Sequence, residues 1–258
     1  MTTSTFAALG VPDDLVGTLT DAGITQPFPI QAAVIRDALA GHDVCGKAPT
    51  GSGKTLAFGI PLIAELDKAS PKKPRALVLA PTRELAAQIQ RELMPLGKTR
   101  RRFIGIVYGG VGYGPQIQSM RRGVDVLVAT PGRLLDLMEQ GHVDLSEIDI
   151  AVVDEADRMA DMGFLPDVRR ILDAMPQERR TWLFSATLDG DVAVLTKRYQ
   201  RNPRRHEVDG GDDHSAARHL FWQVAHADRA THTADVVAAS SPAVVFCRTR
   251  RGADNLTR

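Results

Sequence analysis

Short apolar runs alternate with longer amphipathic stretches along most of the chain. Apolar runs predict strands at 43–48, 76–80, 102–108, 124–129, 148–153 and 181–185. Helical spacing between them predicts helices at 28–40, 53–67, 83–97, 114–121, 132–140, 165–174 and 190–200. Strands separated by helices predict an α/β fold with a mostly parallel sheet and helices on both faces. In such a sheet ligands sit at the carboxyl ends of the strands, so polar motifs that follow apolar runs are where chemistry is expected.

The pattern breaks at "VDGGDDHSA", 208–216, where paired glycines and three aspartates fit an exposed linker. A second pattern then begins: strands are expected at 219–225 and 243–249, helices at 231–240 and 250–258. The expected organisation is therefore a first domain over 1–207, a linker at 208–216, and a second α/β domain over 217–258 that stops after its first two strands.

Composition narrows the partners. The 258 residues carry 32 Lys and Arg against 31 Asp and Glu, a net charge of +1, so the chain is no polycation. Nucleic-acid binding, if present, must rest on local patches and backbone donors. Hydrophobic residues make up 43%, ample for a core. Cys45 and Cys247 lie far apart without metal-type spacing, which argues against a disulfide scaffold. No secretion signal and no membrane-length apolar run is visible, and the expected location is the cytoplasm.

Two motifs carry chemistry. "APTGSGKT", 48–55, follows one predicted strand and opens a helix, as a phosphate-binding loop does. Gly51 and Gly53 let the backbone turn, and in the Pro49–Thr55 loop the N–H groups after Pro49, Thr50 and Ser52 included, can surround an anion with the helix N-terminus. Lys54 can reach β- and γ-phosphates, and the Thr55 hydroxyl can hold Mg²⁺. The second motif, "AVVDEADRM", ends an apolar strand in three crowded carboxylates: Asp154, Glu155 and Asp157. Such anions need a positive partner, and Mg²⁺ held with ATP between Lys54, Thr55 and Asp154 supplies it. Asp154 would act through water, since Mg²⁺ keeps several waters, and Glu155 would orient or deprotonate the attacking water.

With "DEAD" at 154–157, the chain resembles the DEAD-box ATP-dependent RNA helicases, over roughly residues 6–207 for the first RecA-like domain and then the start of the second. The resemblance implies ATP and RNA bound in a cleft between two RecA-like domains, with hydrolysis coupled to local strand separation. "GITQPFPIQ", 23–31, resembles the family's Q motif; by resemblance Gln31 reads the adenine edge and Phe6 stacks on its ring. One departure stands out: Phe28 replaces the usual Thr or Ser after Pro27.

"PTRELA" (81–86), "YGG" (ending at Gly110) and "TPGR" (130–133) each follow a strand and precede a helix. The family uses them on RNA, which assigns sugar and phosphate contacts to Pro81, Thr82, Arg83, Gly110, Thr130, Pro131, Gly132 and Arg133. Any one of them alone is more often ordinary cap chemistry. Phosphate and sugar contacts read no sequence, so RNA recognition is expected to be nonspecific. "SAT", 185–187, is implied to couple the two sites through hydroxyls of Ser185 and Thr187 near Asp157. Protein partners in RNA processing or degradation belong to the same implication.

The family's arginine-finger motif falls beyond the stretch that resembles its second domain. The chain alone is therefore expected to bind ATP weakly, hydrolyse it slowly and leave duplexes intact. An ATP-gated RNA clamp, a partner-binding fragment and an unrelated P-loop enzyme are the competing readings.

Overall fold

The computed structural model describes residues 5–208, 220–240 and 242–257. The chain forms two compact units, Met1–Gly210 and Gly211–Arg258. Apart from Val208, the linker expected at 208–216 lies outside the described residues.

The first unit is built on seven strands: β1 (Val44–Lys47), β2 (Ala76–Leu79), β3 (Ile104–Val107), β4 (Val126–Ala129), β5 (Ile150–Val153), β6 (Arg180–Ser185) and β7 (Arg204–Glu207). They lie in the order β3-β4-β2-β5-β6-β1-β7, and every pairing is parallel. Nine α-helices are described in this unit: α1 (Asp13–Asp21), α2 (Pro29–Leu39), α3 (Lys54–Glu65), α4 (Arg83–Thr99), α5 (Tyr113–Arg122), α6 (Pro131–Glu139), α7 (Ala156–Asp161), α8 (Leu165–Asp173) and α9 (Gly190–Tyr199).

Alternation along each strand divides the core in two. Val78, Val128, Val152 and Trp182 face one layer, packed with α2, α3 and α4 through residues such as Val34, Phe58 and Leu93. Their neighbours Leu77, Leu127, Ala151 and Leu183 face the other, with Leu134, Met159, Ile171 and Leu195 from α6–α9. A sheet buried on both faces requires near-continuous apolar strands, and that is what made these segments readable. Close packing reaches the backbone at β1: a Cβ on Gly46 would sit 2.7 Å from the Phe184 ring.

All six expected strands and seven expected helices of this unit form, with ends shifted by a few residues. Strand β7 was not expected, because "RRHE" has no apolar residue. It is an edge strand, paired to β1 alone, with Arg204 N–H donating to Asp43 O at 2.8 Å and Val208 N–H to Lys47 O at 2.9 Å. Charged residues suit such an edge, where one face of the ladder meets solvent. Helices α1 and α7 also lie outside the predicted elements.

In the second unit α10 (Arg229–Ala239) and α11 (Arg250–Leu256) form as expected. The strands expected at 219–225 and 243–249 do not: their described parts enter no ladder, and Thr249 instead caps α11 by accepting from Gly252 N–H at 3.0 Å. An extended apolar segment becomes a buried parallel strand only with neighbours beside it and layers over both faces. Here Phe221 and Phe246 stay exposed, and Trp222, Val236, Val237 and Val245 line an open groove of about 930 Å³. No helix among the described residues is long and apolar enough to cross a membrane.

Candidate active site

Because all seven strands are parallel, their carboxyl ends share one edge of the sheet. Strand order then ranks the motifs along it. The loop after β1 comes first, then Ser185 ending β6, Asp154 after β5, Pro81-Thr82 after β2, Thr130 after β4, and Gly109-Gly110 beyond β3.

The loop after β1 has its two bends where glycine is needed: Gly51 at φ 82° and Gly53 at φ 87°. Gly53 opens α3 without any side-chain cap, so the first-turn N–H groups remain available to an anion. Ser52 closes the loop by donating from Oγ to Pro49 O at 2.7 Å. The Lys54 ammonium lies folded into the loop, donating to Ala48 O and Pro49 O, each at 3.0 Å. Thr50, Gly51, Gly53, Lys54 and Thr55 line a cavity of about 300 Å³ together with Asp154, Glu155 and Gln31. Pro49 and Ser52 shape the loop from outside that cavity.

Asp154 is tied at the end of β5 by its N–H to Leu79 O at 3.0 Å, and its Oδ1 accepts from Glu155 N–H at 3.0 Å. Burial pushes its carboxyl up to about 7; Lys54 opposes the shift and Glu155 adds to it. A buried carboxyl in that state lacks a full counter-charge, and the donor set of Asp154 and the Thr55 hydroxyl suits a hard divalent cation. Glu155 adopts a left-handed backbone, φ 51° and ψ 51°, unusual for a residue with a Cβ. Its carboxylate is held from two sides, by Thr50 Oγ1 and by Arg158 Nη1, both at 3.3 Å.

The link between Asp157 and 185–187 is real but differs from expectation. Ser185 Oγ accepts from Asp157 N–H at 3.2 Å, and Asp157 Oδ2 accepts from the backbone N–H groups of Ala186 (3.1 Å) and Thr187 (3.2 Å). The hydrogen bonds use the Ser185 hydroxyl and the backbone N–H groups of 186–187, with no part for the Thr187 hydroxyl. Backbone donors at the end of a strand are fixed by the fold, which makes them the better-placed partners.

The Q-motif residues divide. Gln31 is 2% exposed and donates from Nε2 to Gly53 O at 3.0 Å, while its Oε1 accepts from Phe28 N–H at 2.9 Å. Phe6 does not reach the cavity. It is 2% exposed within the core, because its chain turns into a short 3₁₀ segment pinned by Arg36 donating to Ala8 O at 3.1 Å. Phe28 is the aromatic that lines the cavity.

On the other half of the edge, Thr82 caps α4 by accepting from Leu85 N–H at 3.2 Å, which uses a lone pair and leaves its O–H to donate. Arg83 is exposed and paired with Glu84 at 2.6 Å. Gly110, at φ 84°, faces the Arg83 guanidinium. Pro131 is buried, Gly132 has open space beside it, and Thr130 begins α6 without using its hydroxyl as a cap. Arg133 departs from expectation: it is buried, donates to Val111 O at 3.0 Å and lies 4.0 Å over the Tyr113 ring. It shapes the loop after β3 instead of reaching outward.

Leu85, Gln88 and Glu92 also line the cavity and were missed. Their i, i+3, i+7 spacing puts them on one face of α4, but the spacing alone does not say that this face meets the cavity.

The DEAD/DEAH box helicase family model matches residues 28–195. The chain is 43% identical over 267 residues to "DEAD-box ATP-dependent RNA helicase 3A, chloroplastic" of Zea mays, covering 97% of this chain and 35% of that protein. It is 40% identical over 273 residues to "ATP-dependent RNA helicase DBP2" of Candida albicans, covering 98% and 47%. The chain thus spans a third to a half of the length of these relatives. A crystal structure of a DEAD box protein from Methanococcus jannaschii superposes with a TM-score of 0.75 at 31% identity, over 98% of this chain and 69% of that one. Four independent features on this edge agree with those likenesses: the glycine-bent loop, the buried Asp154, the Asp157–Ser185 link and Gln31 riveted to Gly53. The chain belongs to the DEAD/DEAH box helicase family.

Proposed function

We propose that this chain is the nucleotide-hydrolysing part of an ATP-dependent RNA helicase. Residues 1–207 are its first RecA-like domain, 208–216 a linker and 217–258 the beginning of a second. The observation that supports this most is the cavity bounded by the loop after β1 and by the buried Asp154. Its residues fit ATP with Mg²⁺: an uncapped helix N-terminus, a lysine within the loop, and a carboxyl that burial keeps partly protonated until a cation arrives.

In this reading the Lys54 ammonium leaves the Ala48 and Pro49 carbonyls for the β- and γ-phosphates, and first-turn N–H groups of α3 meet the remaining phosphate charge. Mg²⁺ would be held by Thr55 and, through water, Asp154, and would supply positive charge beside the phosphate oxygens. Glu155, fixed by Thr50 and Arg158, orients the attacking water and takes its proton onto a carboxylate oxygen. RNA lies along the other half of the edge, against Arg83, Gly110, Thr130 and Gly132, through phosphate and sugar. Asp157 and Ser185 join the two halves.

No arginine is among the described residues lining the cavity. An arginine directed at the γ-phosphate accelerates phosphoryl transfer by about 10³–10⁵. We therefore assign this chain slow hydrolysis by itself, with strand separation a property of the whole protein. The test is ATP binding by calorimetry, then turnover with no nucleic acid, with RNA and with DNA. Weak Mg²⁺-dependent ATP binding and slow turnover favouring RNA are expected. No ATP binding, or equal stimulation by DNA, overturns the assignment; fast RNA-stimulated turnover overturns the slow-fragment part.

A further inference from the structure

We propose that Phe28 is the aromatic platform for the base of the bound nucleotide, and that Phe6 has no such part. This rests on reading the cavity as a nucleoside triphosphate site. The cavity lining combines two chemistries. Thr50, Lys54, Asp154 and Glu155, from the loop after β1 and the end of β5, bring the polar and charged groups that suit phosphate and its cation. The 24–31 segment brings Ile24, Gln26, Phe28 and Gln31, the apolar and amide groups that suit a base.

Phe28 is the one aromatic among the described lining residues, and it is 56% exposed, a large apolar ring left facing water. Its placement is fixed. The Phe28 N–H is held by Gln31 Oε1 at 2.9 Å, and Phe28 directly precedes α2 as its N-cap. The ring itself lies against the loop: a Cβ added to Gly53 would meet Phe28 Cδ2 at 2.6 Å. So one edge of the ring touches the phosphate loop while the rest borders the cavity. A flat ring fixed in place at low entropy is a good stacking surface for any base. Phe6, enclosed in the core, could stack only if its 3₁₀ segment came out of the structure.

The test compares ADP with inorganic triphosphate, which has no base, in binding to the full chain in Mg²⁺. Phe28→Ala should weaken ADP by about tenfold or more while leaving triphosphate within about twofold, and Phe28→Trp should keep ADP affinity. Triphosphate binding also reports that the loop is intact. If Phe28→Ala leaves ADP affinity unchanged, or lowers ADP and triphosphate together, the platform is refuted; the second result would make Phe28 a prop for the loop. If the unsubstituted chain binds neither probe, the nucleotide reading itself fails, a result distinct from both.

Discussion

The Gln31 side chain bridges two segments 22 residues apart, donating from Nε2 to Gly53 O at 3.0 Å and accepting at Oε1 from Phe28 N–H at 2.9 Å. The amide needs both its donor and its acceptor to do this, and no other side chain of that size has both in one plane. Gln31→Ala leaves the part-buried Phe28 N–H unpaired and takes one of two donors from Gly53 O, which keeps only Ala57 N–H at 3.3 Å. The expected cost is about 1–3 kcal/mol of stability, together with weaker ATP binding, because the loop after β1 loses its brace. Gln31→Glu should weaken ATP binding too, since a second carboxylate oxygen would face the Gly53 carbonyl. Denaturant unfolding and ATP titration of both variants check this; unchanged ATP affinity in Gln31→Ala would show the bridge to be incidental.

Glu155→Gln separates binding from chemistry. The side chain keeps its shape and can still meet Thr50 and Arg158, but it can no longer accept a proton. Turnover should fall by about 10²-fold or more, with ATP affinity nearly unchanged. A rate within a few-fold of the unsubstituted chain would remove Glu155 from the chemistry.

Asp154 makes the stability of the nucleotide-free chain depend on pH. Its folded carboxyl is raised to about 7 from the ordinary 3.8. The folded state therefore holds a proton that the unfolded chain releases. The contribution is fully present below about pH 4 and is lost as pH rises toward 7, over a total of a few kcal/mol. Asp154→Asn cannot lose that proton. It should flatten this part of the profile and be the more stable of the two at pH 8 without nucleotide or Mg²⁺. Urea unfolding at pH 5, 6, 7 and 8 gives the comparison; parallel profiles would contradict the assignment.

How much of this could be read beforehand depended on whether a signal was local. Apolar strands such as "ALVL" and "IAVV" must be apolar on both faces, so they announced themselves, and the motifs after them followed from the parallel sheet. Strand β7 did not, because an edge strand needs only one partner, and "RRHE" takes that partner through its backbone. The candidate site divided the same way. That Lys54, Asp154 and Glu155 would share one cavity was legible because a glycine-bent loop and a carboxylate-ended strand both follow parallel strands and so meet at one edge. Phe6 and Arg133 were misplaced because chemistry does not reveal burial: an aromatic or an arginine can point into the core as readily as out. Leu85, Gln88 and Glu92 reach the cavity only through the packing of α4 beside α3, a tertiary fact.

Arg133 carries a prediction of its own. It donates to Val111 O at 3.0 Å and stacks 4.0 Å over Tyr113, whose hydroxyl donates to Asp136 at 2.9 Å. Arg133→Lys keeps the charge but loses the planar fork and most of the stacking. RNA affinity should fall several-fold, because the loop after β3 is no longer held, and ATP affinity should stay as it was. RNA binding by anisotropy, with ATP titrated in parallel, tests this; full RNA affinity in Arg133→Lys would mean that charge alone suffices.

Asp157 is where the two halves of the edge should be separable. It sits at the start of α7, directly after β5, and takes the N–H groups of Ala186 and Thr187, which follow β6. Those strands are neighbours, and β6 leads on to β1, whose following loop receives a further bond from Ala48 N–H to Ser185 O at 3.1 Å. A shift of 186–187 therefore pulls on both the carboxylate turn and the phosphate loop. Asp157→Ala removes the acceptor for two N–H groups at once. Both are near the surface and can turn to water, so the cost in stability should be modest, about 1 kcal/mol. ATP binding should survive, since Lys54, Thr55 and Asp154 are untouched. What should disappear is the increase in turnover on adding RNA. Ser185→Ala, which leaves the Asp157 carboxylate and its two N–H donors in place, should lose only part of that increase. Turnover measured with and without RNA for both variants decides it: if RNA still accelerates Asp157→Ala as it does the unsubstituted chain, the coupling runs elsewhere.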